Sequence, residues 1–99
     1  DPAICGGIAE TDRIATLAAA HQLRLAPHLW GGAIMFAAGF HVCVAQPSAF
    51  ILEYSLAHNP MQHDLATNMF PIIDGGMAAP EAPGLGIEIN EDFVAKATR

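Results

Sequence analysis

Three side chains in this sequence have the types and surroundings that acid–base chemistry needs: the imidazole of His28 and the carboxylates of Asp1 and Glu53. His28 follows Pro27 at the end of a short apolar run, Leu23 to Ala26. Glu53 stands near the end of a second run, Phe50 to Tyr54, and Asp1 precedes the Gly6-Gly7 loop. An imidazole takes up or releases a proton near neutral pH. Beside two carboxylates it forms a general acid–base set. Glu53 is the most telling of the three, because burying a carboxylate in an apolar run is costly unless it has a role or a partner. The plainer readings are a loop histidine at position 28 and a structural pair for Glu53. Asp1 alone carries almost no signal.

The elements that must position these groups follow from local pattern. Residues 1–8 read as a loop around Gly6-Gly7. A helix is predicted from about Thr11 to His21, with Ile14, Leu17, Ala18 and His21 on one face, Thr11 as its cap and Asp12 suiting its positive end. Leu23 to Ala26 is a short strand closed by Pro27 and His28, and Trp30-Gly31-Gly32 is a loop. Ala33 to Ala45 is a second helix, apolar nearly all round and therefore buried, in which Gly39 marks close packing. Gln46-Pro47-Ser48 ends it, and Phe50 to Tyr54 is a second strand. Helices alternating with strands imply an α/β fold with a parallel sheet. In such a sheet the C-terminal strand ends form the active-site mouth, which is where His28 and Glu53 fall.

Beyond Tyr54 the pattern changes. His58 to Thr67 is polar and holds at most a short helix. Phe70-Pro71-Ile72-Ile73 before Asp74-Gly75-Gly76 signals a turn or hairpin. Pro80, Pro83, Gly84 and Gly86 make an irregular extended segment, and Glu91 to Ala97 a short terminal helix. Two parallel strands and two helices do not cover both faces of a sheet. A closed eight-stranded barrel needs roughly 200 residues or more, and this chain has 99. It opens on Asp1-Pro2 with no methionine and no preceding strand, which reads as a piece of something longer.

Composition narrows the function classes. The chain is 53% hydrophobic and 14% charged, with a net charge of −6 and four basic residues. That is too little charge for disorder, and no basic stripe exists for a nucleic-acid backbone. The longest apolar stretch, Leu29 to Phe40, is too short to span a bilayer. Cys5 and Cys43 form neither a CxxC pair nor a zinc spacing, and a reduced, cytoplasmic chain is the simplest expectation. His21 and His41 lie on helices as structural histidines, while His58 and His63 are expected to be solvated. Trp30 walls a pocket or packs in a core. Gly6-Gly7 before a helix suits an anion or merely a tight turn.

The run Asp1-Pro2-Ala3-Ile4-Cys5-Gly6-Gly7-Ile8-Ala9-Glu10 resembles the end of the sixth barrel strand in the mandelate racemase branch of the enolase superfamily. Pro27-His28-Leu29-Trp30-Gly31 resembles the end of its seventh strand, and Leu52-Glu53-Tyr54 the end of its eighth. Pro83-Gly84-Leu85-Gly86-Ile87-Glu88 is similar to the closing segment that returns toward a capping domain. The resemblance spans essentially the whole chain in the right order. Its Pro-His-x-Trp-Gly form looks most like acid-sugar dehydratases and galactarolactone-type cycloisomerases. It implies the C-terminal portion of a TIM-type (β/α) barrel, about strands 6 to 8, over residues 1–55, and a C-terminal extension over residues 56–99. The capping domain and the first barrel strands would lie outside the chain.

The resemblance also implies roles. His28 is the general base, and Asp1 bonds its far ring nitrogen. Glu53 faces the substrate carboxylate, donating a hydrogen bond to an enediolate if burial keeps it protonated. Trp30 contacts substrate. The cofactor is Mg²⁺, with ligands expected upstream of these residues, and none is assigned here. The substrate is a sugar acid or other small carboxylate, and the full-length protein is a homo-oligomer. The enediolate can be reprotonated, giving racemisation, can expel a β-hydroxyl, giving dehydration, or can open a ring. Three readings stay open: a dehydratase or cycloisomerase, a racemase or epimerase on the same scaffold, and an inactive piece.

Overall fold

The computed structural model describes residues 1–98. Five helices carry most of its regular structure: α1 (Pro2–Cys5), α2 (Ile8–Ala20), α3 (Ala33–Ala45), α4 (Pro60–His63) and α5 (Glu91–Ala97). α3 and α5 run over the predicted residues. The loop expected over residues 1–8 instead contains α1, because Asp1 caps it, accepting from the backbone N–H groups of Ala3 at 2.8 Å and Ile4 at 3.2 Å. Pro2 suits the first helical position, where no N–H is required.

Helix α2 begins three residues before the predicted start, with Gly7 as its N-cap. Gly6 and Gly7 have φ of 121° and 88°, a region that disfavours any residue with a Cβ. Thr11 is therefore not a cap. It lies inside the helix, buried, with its hydroxyl donating to the Gly7 carbonyl at 2.8 Å. The predicted inward face is corrected too. Thr11 and Ala15 are buried, while Ile14, Leu17 and His21 are exposed. Small side chains on the 11/15 stripe let α2 lie close against α3. Polar bonds then fix it: Ser48 Oγ donates to the Ala15 carbonyl at 3.0 Å and Gln46 Nε2 to Asp12 Oδ1 at 2.6 Å.

The core is built on α3. Leu29, Phe36, Ala37, Phe40 and Phe70 form one buried cluster, with Leu52 and Tyr54 packed on it. Phe36 meets Tyr54 edge-on at 5.2 Å, and Phe40 lies 5.2 Å from Phe70. Full burial of a side chain such as Phe36 contributes about 1.5–3 kcal/mol. Gly39 is buried against Leu29 and Pro2, and a Cβ at that position would overlap the Leu29 side chain. Burial raises the pKa of the Cys43 thiol on the same helix.

The two predicted strands do not form as a sheet among the described residues. Segments 23–30 and 49–54 are extended and meet in one parallel bridge, Leu25 with Ala49. Leu25 donates to the Ser48 carbonyl at 2.7 Å, and Phe50 donates to the Leu25 carbonyl at 3.2 Å. The next rung would need an N–H from residue 27, and Pro27 has none. The Arg24 guanidinium, 4.1 Å from the centre of the Phe50 ring, adds a second tie.

The second half is held by single bridges and turns. Asp74 and Gly75, with φ of 51° and 77°, make a two-residue turn closed by reciprocal bonds between Ile73 and Gly76. Positive φ at both central positions is the hairpin geometry that Asp-Gly favours. The closing segment returns to the stretch just after α4 through an antiparallel bridge of Ala66 with Ile89. Asn90 then caps α5 and donates to the Asp64 carbonyl at 3.0 Å. Among the described residues, no helix is long and apolar enough to cross a membrane.

Candidate active site

The structure brings Asp1 and His28 into direct contact, with His28 Nδ1 2.8 Å from Asp1 Oδ2. The two residues are 27 positions apart, so the fold makes this pair. Each partner is held by its own element. Asp1 Oδ1 is engaged as the α1 cap, which turns Oδ2 toward the imidazole. His28 follows Pro27, which is buried, and precedes Leu29, whose side chain is fully buried in the core. A carboxylate only accepts hydrogen bonds, so the proton of a neutral imidazole lies on Nδ1 and Nε2 carries the lone pair. The His28 side chain is 51% exposed and that of Asp1 16%. The carboxylate is thus sheltered while the imidazole reaches outward.

Glu53 joins the group through the backbone. Its Oε2 accepts the N–H of Leu29, the residue after His28, at 2.6 Å. Glu53 is exposed, not buried as its apolar neighbours suggest. Side chains alternate along an extended segment. Leu52 and Tyr54 turn inward to the α3 core, and Ile51 and Glu53 turn outward. A cleft of ≈ 350 Å³ lies beside it, lined by Ala26, Pro27, Ile51, Leu52 and Glu53.

Trp30 is 64% exposed among the described residues, two positions after His28. His41 on α3 bonds the Leu85 carbonyl at 3.1 Å, a structural use. His63 is half-buried, not solvated. Its ring stacks on His58 at 5.9 Å and meets Tyr54 edge-on at 6.0 Å. His58 is exposed and lies 3.2 Å from Asp64. No group of three or more His, Cys, Asp or Glu side chains able to hold a metal is found among the described residues. The residues present do not make a metal site.

Two contacts at the site escape sequence reasoning. Asn59 Nδ2 donates to the Gly31 carbonyl at 3.1 Å, and the Leu29 N–H is held by Glu53. Both involve backbone groups and so leave no mark in residue spacing. The dipeptide Asn59-Pro60 was the available signal, since Asn before Pro marks a turn or helix start.

Comparison with known proteins places the chain. The family described as "Enolase C-terminal domain-like" matches residues 1–93. The chain is similar to D-galactarolactone cycloisomerase of Agrobacterium fabrum (strain C58 / ATCC 33970), with 36% identity over 93% of this chain and 26% of that protein. It is also similar to D-galactonate dehydratase of Xanthomonas campestris pv. campestris (strain B100), with 36% identity over 93% of this chain and 26% of that protein. Among solved structures it is similar to a mandelate racemase/muconate lactonizing enzyme from Jannaschia sp. CCS1. That match has a TM-score of 0.82 and 42% identity, over 95% of this chain and 24% of the other. A mandelate racemase/muconate lactonizing enzyme from Sulfitobacter sp matches with a TM-score of 0.80 and 34% identity, over 93% of this chain and 22% of the other. The chain spans about a quarter of the length of these relatives. It belongs to the enolase C-terminal domain-like family, in the mandelate racemase and muconate lactonizing enzyme group of the enolase superfamily.

Proposed function

We propose that this chain supplies the base-bearing end of an enzyme that removes the proton next to the carboxylate of an acid sugar, leading to dehydration or cycloisomerisation. The observation that carries it is the His28–Asp1 pair: Nδ1 is held by a carboxylate at 2.8 Å, which leaves Nε2 of a half-exposed imidazole to accept a proton. In this reading Nε2 takes the α-proton and the C–H electron pair moves into the substrate carboxylate. For dehydration that pair then returns to form a double bond as the β-carbon–oxygen bond breaks. The imidazolium gives its proton to the departing hydroxyl, which leaves as water. Asp1 holds the ring in the tautomer that makes Nε2 the acceptor. Glu53 Oε2 is occupied by the Leu29 N–H; its Oε1 would donate to the enediolate only where the rest of the barrel covers this carboxyl and keeps it protonated. Trp30 walls the substrate. Stabilisation of the developing charge more than of the bound acid is what accelerates such a step.

Residues 1–55 would then be the last βα units of a (β/α) barrel and residues 56–99 an extension returning to a capping domain. A divalent cation such as Mg²⁺ would take its ligands from outside the described residues. The names of the similar proteins, a galactarolactone cycloisomerase and a galactonate dehydratase, support the acid-sugar class. The racemase reading draws on the solved structures. The test is to incubate the full-length enzyme with acid sugars, their lactones and 2-hydroxy acids in D₂O. Water loss or ring opening of an acid sugar is expected. Deuterium exchange with inversion and no elimination would favour the racemase. No exchange on any carboxylate would overturn the proposal.

A further inference from the structure

We propose that Asn59 is a positioning residue that sets where His28 and Trp30 stand, an inference that rests on the reading of His28 as the base. The loop from His28 to Gly32 carries both side chains, and neither is buried. Core packing does not hold them directly, so their placement depends on the loop backbone. Three contacts fix that backbone. The Leu29 side chain is fully buried, the Leu29 N–H is held by Glu53 at 2.6 Å, and the Gly31 carbonyl is held by Asn59 Nδ2 at 3.1 Å. The last two lie on either side of Trp30, one from each of two other chain segments. Asn59 is itself anchored. Its Oδ1 accepts from Met61 N at 3.1 Å to cap α4, and its own N–H donates to His63 Nδ1 at 3.0 Å. Its carbonyl accepts from Gln62 N at 2.9 Å and His63 N at 2.8 Å.

Asparagine suits both tasks because one side chain must accept at the helix cap and donate to the loop. Aspartate would cap α4 equally well but would set an oxygen against the Gly31 oxygen. Asn59→Asp therefore separates the two roles. In the full-length enzyme this variant is expected to lower kcat by about tenfold or more, as misplacement of a reacting group does. The thermal midpoint should stay near wild type. The isotope effect on kcat with α-deuterated substrate should rise, as proton removal becomes slower relative to the other steps. The amides of Trp30 to Gly32 should exchange faster with D₂O than in the wild type. A kcat within twofold of wild type with an unchanged isotope effect overturns the proposal. So do unchanged loop amides, which would mean that Asn59 only caps α4. If the wild-type enzyme turns over no carboxylate at all, the base assignment fails. Amide exchange then still decides whether Asn59 holds the loop.

Discussion

At the scale of single residues, the site depends on divided use of side-chain atoms. Asp1 spends one oxygen on the α1 cap and turns the other to His28. Glu53 gives one oxygen to the Leu29 peptide. If His28 is the base, His28→Asn in the full-length enzyme removes α-proton exchange while circular dichroism and thermal midpoint stay near wild type. Turnover retained at a near-normal rate would rule out the assignment. Glu53→Gln keeps an oxygen for the Leu29 N–H and an N–H group able to donate, whereas Glu53→Ala keeps neither. The expected order of residual kcat is wild type, then Glu53→Gln, then Glu53→Ala. Steady-state rates on one substrate check it, and a glutamine variant as impaired as His28→Asn would count against a donor role for Glu53.

At the scale of elements, α3 and the extended segment before it act as one packed unit. Gly39 is the contact point, since only a hydrogen at that position leaves room for Leu29. Leu29 is buried and lies one peptide from His28, so packing on α3 is coupled to the site. Overpacking of this kind costs about 1–3 kcal/mol. Gly39→Ala is expected to lower stability in denaturant titration by an amount of that order, and to reduce kcat as Leu29 shifts. A variant as stable and active as wild type would show that Leu29 moves aside without consequence. The Asp74-Gly75 turn is a local counterpart. Gly75 has φ of 77° with nothing near its missing Cβ. Gly75→Ala should therefore cost stability through backbone conformation alone, about 1 kcal/mol, with kcat unchanged.

At the scale of the whole molecule, many apolar side chains remain uncovered. Phe50, Ile51, Leu56, Ile72 and Ile73 are all exposed on or near the extended segment that carries Glu53. Phe50, Ile51 and Leu52, with Tyr54, Ile72 and Met77, line an open cleft of ≈ 260 Å³. Large apolar side chains left exposed together mark a surface that associates with something. The isolated 99 residues are accordingly expected to bind a hydrophobic dye and to show no Mg²⁺-dependent α-proton exchange in D₂O. The full-length protein should show the converse. Exchange by the isolated chain would mean that the described residues suffice for the reaction.

The long apolar helix α3, the terminal helix α5, the Asp-Gly turn and the tight packing at Gly39 were all legible in the sequence. Each is decided by local pattern: apolar density, a cap, a turn dipeptide, or a glycine inside a helix. The motifs around Asp1, His28 and Glu53 were legible as well, through their resemblance to a known family. Hydrogen-bonded strands were not, because a ladder is made between segments and Pro27 stops this one after a single rung. The inward face of α2 and the exposure of Glu53 likewise depended on what packs against each element. The 2.8 Å contact of Asp1 with His28 and the hold of Asn59 on Gly31 arise only once distant parts of the chain are folded together. Residue types and local spacing specify elements, but which atoms meet across 27 or 28 positions is settled by tertiary packing.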